Sequence, residues 1–215
     1  MQYDIGTPVS RTAGSRNADY DATRASLASA LAKRLIAAGG PGASFRELAE
    51  CAGVSVPTLR HYFVDRDGAL TAAMASLGAS GGPWLALTRD PGALPVAESL
   101  RMWSEMFVAG WRHFGVGPMQ AAGLAAGLGS DRLGPAYLDD LLEPVQQALE
   151  ARVAVHIERG ELRDAPPRLI ALQLLAPILV VLLHQAELGG ERCRPLDVGA
   201  FLPAHLEAFL RAWGR

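Results

Sequence analysis

From Tyr20 onward the apolar residues of this chain recur at spacings of three and four, and nowhere alternate with polar residues over the length of a strand. Such a pattern buries its hydrophobic surface only by packing helix on helix, so the fold class it predicts is all-α. Leu27, Ala28, Leu31, Leu35 and Ile36 mark a first helix, stopped by Gly39-Gly40-Pro41-Gly42. The run "DRDGALTAAMASLGA" resumes helical spacing through Leu70, Met74 and Leu77 until "SGGP" breaks it at 80–83. Later helical patterns cover about 94–115, 118–128, 135–159, 166–188 and 197–213, divided by Gly and Pro. The expected organisation is an arm over 1–18, a compact helical unit over 19–79, and a larger helical part over 80–215. The Ala/Gly-rich run "MQAAGLAAGLGSDRLGP" keeps its leucines, and its small residues suit close helix contact.

Of 215 residues half are apolar and a fifth charged, enough to bury a real core, and the formal charge of −2 shows no overall basic bias. The opening "MQYDIGTPVSRTAG" lacks the charged start and apolar run of a signal peptide, and Cys51 and Cys193 lie far apart. A reducing cytoplasm fits best. The most apolar run, 169–183, is interrupted by Gln173 and Pro177 and is shorter than the roughly 20 residues of a membrane span. It reads as a buried or partner-facing helix, and no membrane partner is expected.

The stretch "SFRELAECAGVSVPTLRHYF", residues 44–63, packs two helix starts and a turn into little chain. Ser44 and Glu47 have capping-box spacing, so one helix begins there. Gly53 is the residue type that closes a helix in the left-handed conformation. Ser55 can cap a second helix, with Pro57 harmless in its first turn. The result is helix, short turn, helix.

Turning the second helix by about 100° per residue puts Leu59 and Phe63 toward Leu48 and Val54. Pro57, Thr58 and His61 then point outward, flanked by Arg60 and Tyr62. A face with a guanidinium, an imidazole, a hydroxyl and a phenol suits hydrogen bonds to phosphates and base edges, and the helix has the width of a DNA major groove. Helix-turn-helix corners also occur in proteins that never touch DNA. Residues 1–78 hold eight Lys or Arg against seven Asp or Glu, a balance of only +1. Arg11 and Arg16 in the arm could reach a minor groove or simply be solvated.

"FRELAECAGVSVPTLRHYFVDRDGAL" resembles the DNA-binding signature of TetR-type transcriptional regulators, with its L-A-x-x-A-G-V-S core, a T-L-Y-x-H-F segment and a K-E-x-L motif opening a fourth helix. "IERGELR" at 157–163 and "LDVGAFLPAHLEAFLRAW" at 196–213 resemble that family's late segments. The resemblance implies an N-terminal helix-turn-helix domain of three helices and a C-terminal helical ligand-binding and dimerisation domain. It implies a DNA contact set of Ser44, Ser55, Val56, Pro57, Thr58, Arg60, His61, Tyr62 and Arg66. Thr58 matches the family threonine that commonly touches phosphate, while Tyr62 stands where a histidine is usual and Arg60 replaces a tyrosine. Arg66 falls at the lysine of the fourth-helix motif, where a cation can pin a phosphate, and Asp67 at its glutamate. Arg60 could bind guanine O6 and N7, contact a phosphate, or pair with Asp65 or Asp67.

The same resemblance implies a homodimer and a small-molecule effector. Residues 169–183 are too uniformly apolar for a helix with one face in water, and Phe201, Leu202, Leu206, Phe209, Leu210 and Trp213 line the last helix. Helices 166–188 and 197–213 of two chains could bury one another in a four-helix interface matching a palindromic operator. For the effector, Met102, Trp103, Met106, Phe107, Trp111 and Phe114 form a dense aromatic and thioether set, to which Tyr137 and His156 could add polar contacts. They read either as a cavity for an apolar or aromatic ligand or as plain core. Arg112, His113, Gln120 and His184 are further polar candidates with no distinguishing spacing.

No H-E-x-x-H, phosphate-cradling glycine loop or C-x-x-C occurs, so no catalytic, metal or cofactor site is expected. Cys51 reads as a small buried residue, or as a redox switch within the DNA-binding domain. The competing function is a helical ligand-binding or scaffolding protein without DNA-binding activity. The favoured one is a repressor released from its operator when an effector shifts the paired reading heads.

Overall fold

The computed structural model describes residues 13–215. Helix α1 spans Ala13–Ile36, so it begins ahead of Tyr20 and takes in the end of the expected arm. The rest of that arm, Arg11 included, and the Arg16 side chain lie outside the described residues. Helices α2 (Phe45–Cys51), α3 (Val56–Phe63) and α4 (Arg66–Ser80) follow. Beyond them come α5 (Gly82–Arg89), α6 (Val96–His113), α7 (Val116–Leu128) and α8 (Leu133–Tyr137). Helices α9 (Glu143–Glu158), α10 (Pro167–Leu182), α11 (Gly190–Cys193) and α12 (Val198–Trp213) complete the chain. Among the described residues there is no strand, only a single bridge between Leu162 and Gly214.

The periodicity does not predict α5, because "SGGP" reads as a break. Gly81 instead keeps right-handed helical angles, and Pro83 sits in the first turn of α5, where no backbone N–H partner is needed. Two π-helical turns, Leu138–Leu142 and Leu183–Glu187, join α8 to α9 and extend α10. With that extension Pro167–Glu187 is one 21-residue helix, long and apolar enough by length and composition to cross a membrane, against the shorter run read from sequence. Its inner face is nevertheless packed: Ile170, Leu174, Leu175, Ile178 and Leu182 are buried with α6, α9 and α12 side chains in one cluster.

Two hydrophobic cores divide the molecule. The first gathers Leu27, Leu31 and Leu35 of α1, Leu48 of α2, Leu59 and Phe63 of α3, and Leu70 and Met74 of α4. It continues without interruption into Ala122, Ala126, Leu133 and Tyr137, so the packing crosses the expected boundary near residue 80. The second joins Trp103, Phe107 and Trp111 of α6 to α9, α10 and α12.

Helix α4 links the two halves and is tied down at both ends. At its start Asp65 accepts the Gly68 N–H (2.8 Å) as N-cap and the Arg132 guanidinium (2.6 Å), while Asp67 accepts the Ser130 hydroxyl (2.7 Å). The Gly68 N–H, followed by Arg132, holds the Asp65 carboxyl below its ordinary value. Near its end Gly78 meets the main chain of Asp140 in the first π-helical turn.

Candidate nucleic-acid interface and internal cavity

The local chemistry of residues 44–63 forms as its spacing predicts. The Ser44 hydroxyl accepts the Glu47 N–H (3.2 Å) and the Glu47 carboxylate accepts the Ser44 N–H (2.7 Å), a complete capping box that also holds the Glu47 carboxyl below its ordinary value. Gly53 takes φ +68° beyond the end of α2. The Ser55 hydroxyl accepts the Thr58 N–H (3.2 Å) and lies 2.8 Å from the Thr58 hydroxyl.

Leu59 and Phe63 are buried, while Pro57, Thr58, Arg60 and His61 are exposed and Val56 is half-buried. The outer side of α3 therefore stands free, with a hydroxyl at its first turn, an imidazole at its last, and a guanidinium beside them. Arg60 lies 5.7 Å from the centre of the Phe45 ring, a cation–π contact that orients it without consuming its hydrogen-bond donors. Tyr62 departs from the expected flank: its ring stacks on Tyr20 of α1 at 4.8 Å, leaving it half-buried.

Arg66 also departs. Its Nε donates to the Ala43 carbonyl (2.8 Å), Nη2 to the Pro41 carbonyl and Nη1 to Asp67 (3.2 Å). A side chain bound to two loop carbonyls is engaged in holding the α1–α2 connection on α4, not free to pin a phosphate. Cys51, expected to be buried, is exposed on the last residue of α2, and Cys193 is exposed as well.

A cavity of about 590 Å³ lies between the end of α4, α5, α6, the start of α7 and the first π-helical turn. Met106 and Phe114 of the predicted set line it, with Leu77, Trp84, Met119 and Asp140. The other predicted residues sit elsewhere, for identifiable reasons. Met102 is 46% exposed on the outer face of α6. Trp103, Phe107 and Trp111 stack along α6 within the second core, and the Trp111 indole N–H is spent on Glu187 (3.0 Å). Tyr137 is sealed in the first core and donates to Gln120 (2.9 Å), with burial pushing its phenol up to about 12. Arg112, His113 and His184 are exposed outside the cavity lining.

Residues 30–73 match the family described as bacterial regulatory proteins, tetR family. The structure matches a solved TetR-family transcriptional regulator from Mesorhizobium loti, with a TM-score of 0.74 and 18% identity over 91% of this chain and 98% of that one. The fold is that of TetR-family regulators. SmeT, the repressor of the Stenotrophomonas maltophilia multidrug efflux pump SmeDEF, is similar at TM-score 0.60 and 20% identity over 92% of this chain and 93% of its own. The SmeT–triclosan complex gives TM-score 0.65 and 18% identity over 90% and 92% of the two chains. No curated protein sequence matches the chain.

Beside the second core lies a buried polar cluster that sequence spacing did not reveal. Arg152 donates to the carbonyls of Thr88 (2.7 Å), Leu87 (2.6 Å) and Asp90 (2.8 Å) and to the Ser99 hydroxyl (2.6 Å). Ser99 lies 2.9 Å from His156 Nε2, and His156 Nδ1 lies 2.5 Å from Glu161. His156 thus belongs to this cluster and not to the cavity. The order Ser–His–Glu is that of a nucleophilic triad, but Ser99 is sealed and already accepts from a guanidinium, which suits a structural network. Burial pulls the His156 imidazole below its ordinary value, with Glu161 opposing. The hydrogen-bonded pairs of the cluster are 5 to 65 residues apart, too scattered for a motif. Among the described residues no group of three His, Cys, Asp or Glu could hold a metal.

Proposed function

We propose that this protein is a sequence-specific DNA-binding transcriptional regulator of the cytoplasm, acting as a homodimer and released from a palindromic operator by a small molecule. One observation carries the reading: in a TetR-type fold, the capped helix α3 buries Leu59 and Phe63 and leaves Pro57, Thr58, Arg60 and His61 bare. In a major groove the Thr58 hydroxyl and Ser55 at the helix N-terminus face phosphate, while Arg60 and His61 reach base edges. Ser44 opens α2 and faces the adjoining backbone.

Dimerisation is supported by two faces without partners among the described residues. On α10 Leu169, Leu172 and Val180 are exposed in helical register. On α12 Ala200, Ala204, Ala208 and Ala212 form an exposed stripe of small side chains on which another helix can approach closely. Together they build the four-helix interface expected of 166–188 and 197–213.

The cavity suits the effector, its volume lying in the range of small-molecule sites. It is lined by Leu77, Gly78 and Ser80 of α4, the helix that also packs on α3, so an occupant acts directly on the element that positions the reading head. SmeT, on the same fold, has been solved with triclosan, which supports a small-molecule ligand.

The test is selection of bound duplexes from random DNA, followed by a salt titration on the enriched sequence. A regulator enriches a palindrome, and with roughly six phosphate contacts log affinity falls with log salt at a slope near about −5. Absence of duplex binding at low salt defeats the reading and leaves a ligand-binding helical protein.

A further inference from the structure

Among the described residues around the cavity only one is ionisable. Asp140 stands in a described lining otherwise made of aliphatic, thioether, aromatic and glycine residues, with Ser80 as the one hydroxyl among them. No Lys, Arg or His among the described residues lines it. Asp140 takes part in none of the ion pairs formed among the described residues. Burial, followed by repulsion from neighbouring Asp139, raises its carboxyl above the ordinary value, the response of a charge placed in apolar surroundings without a counter-ion.

We propose that the effector is a monocation, an apolar or aromatic body bearing one protonated amine or quaternary ammonium group, whose charge is matched by Asp140. The inference rests on the cavity being the effector site. A neutral ligand would strip water from the carboxylate and return at most a hydrogen bond, without matching its charge, and an anion would be repelled. A cation supplies the missing partner, and the Trp84 and Phe114 rings add surfaces that attract positive charge. The site lies on the π-helical turn that meets α4 at Gly78, so the charge contact falls at the joint between cavity and reading head.

The experiment compares three headgroups on one body: decyltrimethylammonium, 1-decanol and decanoate, each below its aggregation limit, repeated with the corresponding 2-naphthylmethyl compounds. Dissociation constants come from calorimetry and from quenching of tryptophan fluorescence. The wild-type protein is expected to bind the ammonium compounds about tenfold more tightly than the alcohols, with the carboxylates weakest. Asp140→Asn should bring ammonium and alcohol within about twofold of each other, while Asp140→Glu and Asp139→Asn keep the preference. Circular dichroism verifies that each variant is folded, and the wild-type ranking decides the question even if Asp140→Asn is not. Equal affinities, a preference for carboxylate, or loss of the preference in Asp139→Asn as large as in Asp140→Asn overturns the assignment to Asp140 while leaving the cavity as the effector site. Failure of all six compounds to bind overturns both.

Discussion

Gly78 of α4 lies against the main chain of Asp140 so closely that a Cβ there would stand 3.2 Å from the Asp140 carbonyl carbon and overlap its oxygen. Glycine is required because the obstacle is backbone, which cannot rotate away. Gly78→Ala is expected to force α4 and the π-helical turn apart and destabilise the protein by about 2 kcal/mol. Thermal unfolding should show a midpoint lower by roughly 6 °C. An unchanged midpoint would mean the two elements separate freely.

Arg60 and Arg66 are expected to separate in their effects. Arg60→Ala, at an exposed position, should leave the unfolding midpoint unchanged and relax discrimination at one base pair per half-site by about 1–3 kcal/mol. Arg66→Ala removes the donors bound to the Pro41 and Ala43 carbonyls and should cost stability, about 1–3 kcal/mol, before any effect on DNA is read. Parallel denaturant unfolding and binding to variant duplexes distinguish them.

Val64 turns the chain from α3 into α4 with φ +66° and ψ −58°, closed by the Asp65 N–H on the Phe63 carbonyl (2.7 Å). This is a γ-turn with a β-branched residue on the unfavourable side of the Ramachandran map, and the side chain is 70% exposed, gaining little from packing. Val64→Gly relieves the strain at the cost of a more flexible unfolded chain. A net gain of about 1 kcal/mol is expected from urea unfolding.

The His156 cluster makes stability depend on acidity. A neutral His156 satisfies all its neighbours: with Nδ1–H donated to Glu161, Nε2 accepts from a Ser99 hydroxyl that itself accepts from Arg152. A second ring proton would compete with that hydroxyl hydrogen, and burial, Arg159 and Arg152 disfavour the charge while Glu161 favours it. The folded value therefore lies below the unfolded one of about 6.5. The contribution is whole above that value and is lost as pH falls toward the folded value, at up to about 1.4 kcal/mol per pH unit. Urea unfolding between pH 7.5 and 5 should show this slope in the wild type and a flatter one in His156→Gln, whose amide offers one donor and one acceptor without titrating.

The unpartnered face of α10 predicts the assembly. Leu172 and Val180, 51% and 62% exposed, would be buried by a second copy. Leu172→Glu and Val180→Glu are each expected to shift the sedimentation coefficient from dimer to monomer, because an unpaired carboxylate resists burial. Retention of the wild-type value would place the interface elsewhere.

What is legible in the sequence is whatever local chemistry specifies. Ser44, Glu47, Gly53 and Ser55 act on backbone groups within a few residues, so both helix starts and the outward turn of Thr58 and His61 follow from spacing. Arg66 and Tyr62 could not be placed that way, since their partners are the Pro41 and Ala43 carbonyls and Tyr20. The cavity combines side chains from α1 to the start of α9, so a dense stretch of α6 suggested Trp103 and Trp111, which the second core claims, and gave no hint of Trp84 or Asp140. Helix α5 was hidden because Gly81 and Pro83 punctuate a sequence without necessarily unwinding it.

The ties at the two ends of α4 limit how a signal can leave the cavity. A lever held at one end swings; one fastened to the α7–α8 loop by Asp65 and Asp67, and wedged at Gly78 by the turn carrying Asp140, has no loose end to swing from. Pushing at the Asp140 end must therefore either roll the rod about its long axis or strain the Asp65–Arg132 latch, and in both cases α3, resting on that rod, is carried along with it.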